Sequence, residues 1–115
     1  MEIKELAQNF KRILLRLEAE WTAERDSGPI NIDHGKEILE KLCQDVLDFR
    51  TEVVLKMGDR QCRPIMALDE ALKRLKAIRR HQMDGGSSFK TFWDEGNAII
   101  QMLKDVPRDI KDMVG

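Results

Sequence analysis

A chain of 115 residues with a formal net charge of −1 has the length of one domain. It lacks the charge excess of a disordered segment or of a general binder of nucleic acid or anionic membranes. Its composition is 42% hydrophobic, 36% charged and only 5% aromatic, the profile of charged amphipathic helices around one core.

The first segment, from about residue 2 to 25, sets the pattern. Ile3, Ala7, Phe10, Leu14, Leu17 and Trp21 recur at alternating spacings of four and three, the seam of a packed helix. Leu6 and Ile13 widen the seam, while Leu15 falls outside it. The run Asp26-Ser27-Gly28-Pro29 is a stop signal.

A second helix is predicted from Asn31 or Asp33, both good N-caps. Leu39, Leu42, Val46, Phe49 and Val53 form its seam, with Met57 closing it. Cys43, Leu47 and Val54 form a second apolar flank, so this helix is expected to touch two neighbours. Gly58-Asp59 through Arg63-Pro64 is the second break, and Pro64 suits the first turn of a third helix. That helix carries Leu68, Ala71, Leu75 and Ile78, with Ile65 and Leu72 beside them. Asp84-Gly85-Gly86-Ser87-Ser88 is the strongest loop.

A fourth helix is capped by Ser87 or Ser88. Phe89, Phe92, Gly96, Ile99, Leu103 and Val106 keep the spacing. Gly96 on the seam is expected to permit close helix approach, at a cost of about 1 kcal/mol relative to Ala. Pro107 ends or kinks the helix, and Ile110, Met113 and Val114 suggest a last short helical turn. The fold class expected is all-α: a single domain over residues 1–115, an up-down four-helix bundle with a short fifth C-terminal turn.

No run approaches the 18 apolar residues of a membrane span. Met1-Glu2 leads into a periodic segment without a signal-peptide pattern, so the expected location is cytoplasmic, with Cys43 and Cys62 reduced.

The spacings do not favour chemistry. No CxxC, HExxH or ExxH occurs among the His, Cys and carboxylate residues, so no metal or other cofactor is expected. The Gly85-Gly86 loop has no Lys at the phosphate-binding position and no preceding strand. Cys62 lies near Arg60 and Arg63, which would lower a thiol pKa and make it reactive; the plainer reading is a partly buried loop cysteine.

Arg74 and His81 are separated by six residues on one helical face. This spacing resembles the Arg-x(4–6)-His motif of HEPN ribonucleases, and that resemblance implies RNA cleavage at a site shared by two subunits. It is confined to these two residues, and Leu75 follows the Arg where that family usually has a polar residue.

Two surfaces remain. Lys73, Arg74, Lys76, Arg79, Arg80 and His81 crowd the end of the third helix, a stripe suited to an acidic partner or to nucleic-acid phosphates; no aromatic residue interleaves to stack bases. Trp93, Phe89, Ile110, Met113 and Val114, with Leu15, Leu55 and Met102, are hard to bury in one small bundle and are expected to form a partner-binding or self-association surface. The function expected is a non-catalytic protein–protein interaction module, an adaptor or a small subunit of a larger assembly. A nucleic-acid-binding subunit is the alternative.

Overall fold

The computed structural model describes residues 2–27, 33–58, 62–83 and 89–114, with side chains described at 2–27, 33–58, 62–78 and 91–113. Helix α1 spans Ile3–Asp26, α2 Asp33–Met57, α3 Arg63–Met83, α4 Phe89–Leu103 and α5 Val106–Val114. The fold is an all-α bundle of four antiparallel rods, and no strand occurs among the described residues.

The ends of the helices follow local chemistry. Ser27 stops α1: its backbone N–H bonds Ala23 and its hydroxyl donates to the Glu24 carbonyl at 2.7 Å. Gly58 stops α2 with φ +84°, a left-handed conformation that glycine adopts freely, and its N–H bonds the Val54 carbonyl at 2.8 Å. Pro64 is the second residue of α3, where its missing N–H costs nothing. The predicted caps Asn31, Ser87 and Ser88 lie outside the described residues.

The fourth rod is made of two helices. Pro107 has no N–H to give the Leu103 carbonyl, and its ring would crowd that carbonyl in a continuous helix. Accordingly α4 ends at Leu103, and the Lys104 N–H is shared between the Ile100 and Gln101 carbonyls, each at 3.2 Å. Asp105 then takes the N-cap position of α5, and Pro107 lies in its first turn. The expected short C-terminal turn is therefore a helix of nine residues.

Both halves of this rod run antiparallel to α1. Trp21 meets α4 near Trp93 and Gly96, Glu18 meets Gln101 and Lys104, and Gln8 meets Lys111 on α5. The rods close a ring in the order α1, α2, α3, α4–α5.

The core takes every seam residue predicted on α1 except Ile3, which is half-buried, and all of those on α2 through Val53 and on α3. Phe10 and Phe49 stack with centroids 4.1 Å apart and planes 2° from parallel, fixing the register of α1 on α2. No charged residue is buried among the described residues.

Candidate interaction surface

The structure corrects the predicted apolar surface. Trp93 is 5% exposed and Ile110 0%, so both belong to the core. The break before Pro107 turns α5 so that Val106 and Ile110 complete the packing between α1 and α3. Met113 is exposed. The side chains of Phe89 and Val114 lie outside the described residues.

Trp93 is enclosed because four positions from three helices make room for it. Its ring lies 4.5 Å from Trp21 and 5.0 Å from Phe92, and Phe92 lies 5.4 Å from Trp21. The Trp21 indole N–H donates to the Trp93 carbonyl at 3.1 Å, anchoring α1 to α4. Two glycines clear the space. A Cβ on Gly96 would stand 2.1 Å from Trp21 Cζ2, and one on Gly35 would stand 2.7 Å from both Phe92 Cε1 and Trp93 Cη2. Gly96 thus permits the close approach expected of it. The Trp93 indole N–H is buried without a hydrogen-bond partner among the described residues.

Below this knot the α1–α4 seam is polar. Gln101 donates to Glu18 Oε2 at 2.6 Å, and Lys104 Nζ lies 3.1 Å and 3.3 Å from its two oxygens. Burial pushes the Glu18 carboxyl up, but these two donors outweigh burial and hold it below the usual glutamate range. Further along, Lys111 donates to Gln8 at 2.7 Å. An open hollow lies there, lined by Lys4, Glu5, Gln8, Lys111 and Asp112. Charges of both signs line it.

The basic stripe divides. Lys73, Arg74 and Lys76 are exposed on α3. Arg74 donates to Glu70 at 3.2 Å, one turn before it. Neither Lys73 nor Lys76 has a carboxylate partner among the described residues. The side chains of Arg79, Arg80 and His81 lie outside the described residues, so the Arg74–His81 geometry does too. No group of three or more His, Cys, Asp or Glu side chains is placed to hold a metal ion among the described residues. No described helix is long and apolar enough to cross a membrane.

Leu55, one of the apolar residues expected at the surface, is the most exposed of them, and Met66 joins it. Leu55 is 74% and Met66 56% exposed, and Leu47 is also exposed rather than part of the expected α2 core flank. Arg50 on α2 donates to Asp69 on α3, which marks the seam between these rods. Leu47 precedes Arg50 by three residues and Val54 follows it by four. Met66 precedes Asp69 by three, and Lys73 and Lys76 follow it by four and seven. These offsets place all five on the stripes that flank the Arg50–Asp69 bridge. The outer face of α2 and α3 thus gathers Leu47, Val54 and Met66 around one ion pair, beside two lysines that have no carboxylate partner among the described residues. Met66 escaped the sequence reading because it adjoins the seam residue Ile65, yet it stands nearly opposite the α3 seam on a 3.6-residue wheel, which is the signal that would have found it. Leu15 on α1 and Met113 on α5 are exposed too.

Compared with protein-family models, with curated proteins and with solved structures, the chain matches none.

Proposed function

We propose that this chain is a non-catalytic protein–protein interaction module, an adaptor or a small subunit of a larger assembly, working through the outer face of α2 and α3. One observation carries the reading: Leu47, Leu55 and Met66 are exposed on adjoining helices although the same chain buries its seam residues. Isolated surface apolar residues are ordinary, whereas a group beside polar and charged neighbours is the composition of a partner surface.

The test is retention of partners by the tagged chain in extract from the cells that make it. The wild-type chain is expected to hold at least one protein in near-stoichiometric amount, and Leu55→Glu/Met66→Glu to release it. Leu15→Glu, on a different rod, serves as the control and retains it. Equal retention by wild type and the α2–α3 variant overturns the reading.

Lys73 and Lys76 support a second reading, contact with nucleic-acid phosphates. It is the weaker of the two, because Asp69 and Glu70 share their helix and no aromatic side chain stands among them. Binding to a generic oligonucleotide that weakens steeply with salt and falls in Lys73→Ala/Lys76→Ala is its expected signature. Salt-independent binding, or none, removes it.

A further inference from the structure

We infer that the groove between α2 and α3, on their outer side, docks an acidic amphipathic helix of a partner protein. The inference rests on the interaction-module reading and names the chemistry of the partner.

The Arg50–Asp69 pair sets the register of the groove. The two rods are antiparallel, so each step back along α2 is one step forward along α3. Met66 and Val54 stand three and four residues to one side of the pair. Leu47 and Lys73 stand three and four residues to the other side, and Cys43 and Lys76 both stand seven. At about 100° per residue, all six lie within about 60° of Arg50 or Asp69 around their own helix. They therefore border the line where α2 meets α3. Leu47, Met66, Lys73 and Lys76 are exposed there, and Val54 and Cys43 are half-buried. Leu55 lies about 140° around α2 from Arg50, outside the groove.

The groove has an apolar end and a basic end. Val54 and Met66 make the apolar end, and Leu47 continues it about 10 Å further along. Lys73 stands level with Leu47, and Lys76 with Cys43. The acids nearby are already engaged. Asp69 is bonded to Arg50, Glu70 to Arg74, and Glu40 has an interaction of its own. Lys73 and Lys76 have no carboxylate partner among the described residues. The unpaired charge along the groove is thus positive, and complementarity requires carboxylates in whatever covers it.

The groove suits a helix better than an extended segment. An extended peptide gains its affinity by adding a strand to a sheet edge, whereas the backbone groups of α2 and α3 are already bonded within each helix. A polyproline segment docks on aromatic side chains, and none stands among these six residues. A helix brings its backbone bonds already made. Apolar residues seven apart on one face are about 10 Å apart, the distance from Val54 to Leu47. Acids in the next turn then meet Lys73 and Lys76. About three turns span the roughly 15 Å from Met66 to Lys76. Nucleic acid would satisfy the lysines, but it would leave Leu47, Val54 and Met66 without apolar contact and find no ring on which to stack a base.

The experiment is photo-crosslinking of the full chain in the cells that make it. A benzophenone amino acid is placed at Leu47 or at Met66, with Leu15 as the control position, and the captured peptide is sequenced by mass spectrometry. Leu47 and Met66 are expected to capture one segment of another protein, acidic and with apolar residues at helical spacing. Leu15 is expected not to capture it. The captured segment, made as a peptide, is expected to gain helix on binding the wild-type chain. Lys73→Glu/Lys76→Glu should weaken that binding about tenfold or more, because two attractions become repulsions. A peptide with its acids changed to lysine should prefer this variant to wild type. Leu47→Glu/Met66→Glu should also weaken binding, and far-UV circular dichroism checks that each variant is folded.

Capture of a basic or an extended protein segment, or of a second copy of this chain, overturns the acidic helix and leaves the interaction-module reading standing. So does a captured peptide whose affinity ignores the lysine reversal, or equal capture at Leu15. Absence of protein capture at both groove positions overturns the inference, and the module reading falls with it only if the tagged chain also retains no partner. If protein capture fails while Lys73→Ala/Lys76→Ala abolishes oligonucleotide binding, the lysines belong to phosphates and the inference is again refuted.

Discussion

The seam where α1 meets the fourth rod and the outer face of α2 and α3 use similar residues in opposite ways. At the seam, two tryptophans and a phenylalanine are enclosed, two glycines leave room for them, and the polar groups are hydrogen-bonded: Glu18 with Lys104 and Gln101, Lys111 with Gln8. On the outer face, a leucine and a methionine stand in water and two lysines lack partners among the described residues. An apolar side chain stabilises a bundle only where something faces it. Large residues at the seam are therefore structural, and those on the outer face are available for contact.

Truncation should separate the two regions most sharply. Trp21→Ala removes a fully buried ring and the donor to the Trp93 carbonyl. A loss of about 3–5 kcal/mol is expected, a large share of the stability of a domain this size. Urea unfolding measures it, and a loss under about 1 kcal/mol would show the knot to be dispensable.

Filling the glycine positions comes next. Gly96→Ala gains about 1 kcal/mol in helix propensity. Its Cβ, however, would meet the Trp21 ring at 2.1 Å, and that ring is pinned by its hydrogen bond to α4. Overpacking costs about 1–3 kcal/mol and sometimes more, so a net loss is expected. Gly35→Ala, with 2.7 Å contacts, should lose less. A gain in stability at Gly96 would mean that the Trp21 ring can move aside.

The two tryptophans should also differ from one another. Trp21→Phe loses ring area and a buried hydrogen bond. Trp93→Phe loses ring area but removes an indole N–H that has no partner among the described residues. The first is expected to cost more by about 1 kcal/mol, the net worth of one buried hydrogen bond. Equal costs would indicate that the Trp21–Trp93 bond contributes nothing.

How much of this was legible in the sequence depended on the neighbours each residue meets. The seam of α1 could be read because period alone decides which face is buried. Gly96 and Pro107 could be read because their effects are local: one lacks a side chain and the other lacks an N–H. Trp93 could not. Its burial follows from Gly35, 58 residues earlier, which leaves a gap opposite it. Nor could Ile110, whose burial requires the break at Lys104-Asp105 to turn α5 inward. Leu47 shows the converse. It sits beside the α2 seam, but only the placement of α3, marked by Arg50 and Asp69, decides that nothing covers it. A single-helix pattern tells which side faces inward; it does not tell how far a neighbouring rod reaches around the flank.

Titration offers a smaller contrast, with opposite signs for two carboxylates. Glu18 is held below its usual range by its donors, so the folded state favours its charged form. Its contribution is present above the unfolded glutamate pKa, about 4.3, and is lost as pH falls through the lower folded value. Asp45 on α2 is raised, chiefly by burial and further by Asp48, against the opposing influence of Arg16 and Lys41. Its contribution is present below the unfolded aspartate pKa, about 3.9, and is lost as pH rises through the higher folded value. At neutral pH, Glu18→Gln should therefore destabilise and Asp45→Asn should slightly stabilise, each by under about 1 kcal/mol for partly exposed groups. The two differences should converge on acidification in urea titrations at pH 7 and pH 3. Destabilisation of similar size by both variants would contradict the assigned signs.

The smallest expected effect on stability is the most discriminating. Leu55→Glu/Met66→Glu places two charges where two apolar side chains already meet water. With little burial to lose, unfolding of the isolated chain should shift by no more than about 0.5 kcal/mol per site, the range of ordinary surface changes, and the denaturant slope should not change. The measurement is made at a protein concentration low enough for single chains, because association would otherwise add to the apparent stability. A large loss at low concentration would mean that Leu55 and Met66 support the fold of the single chain, and would erase the distinction between seam and face.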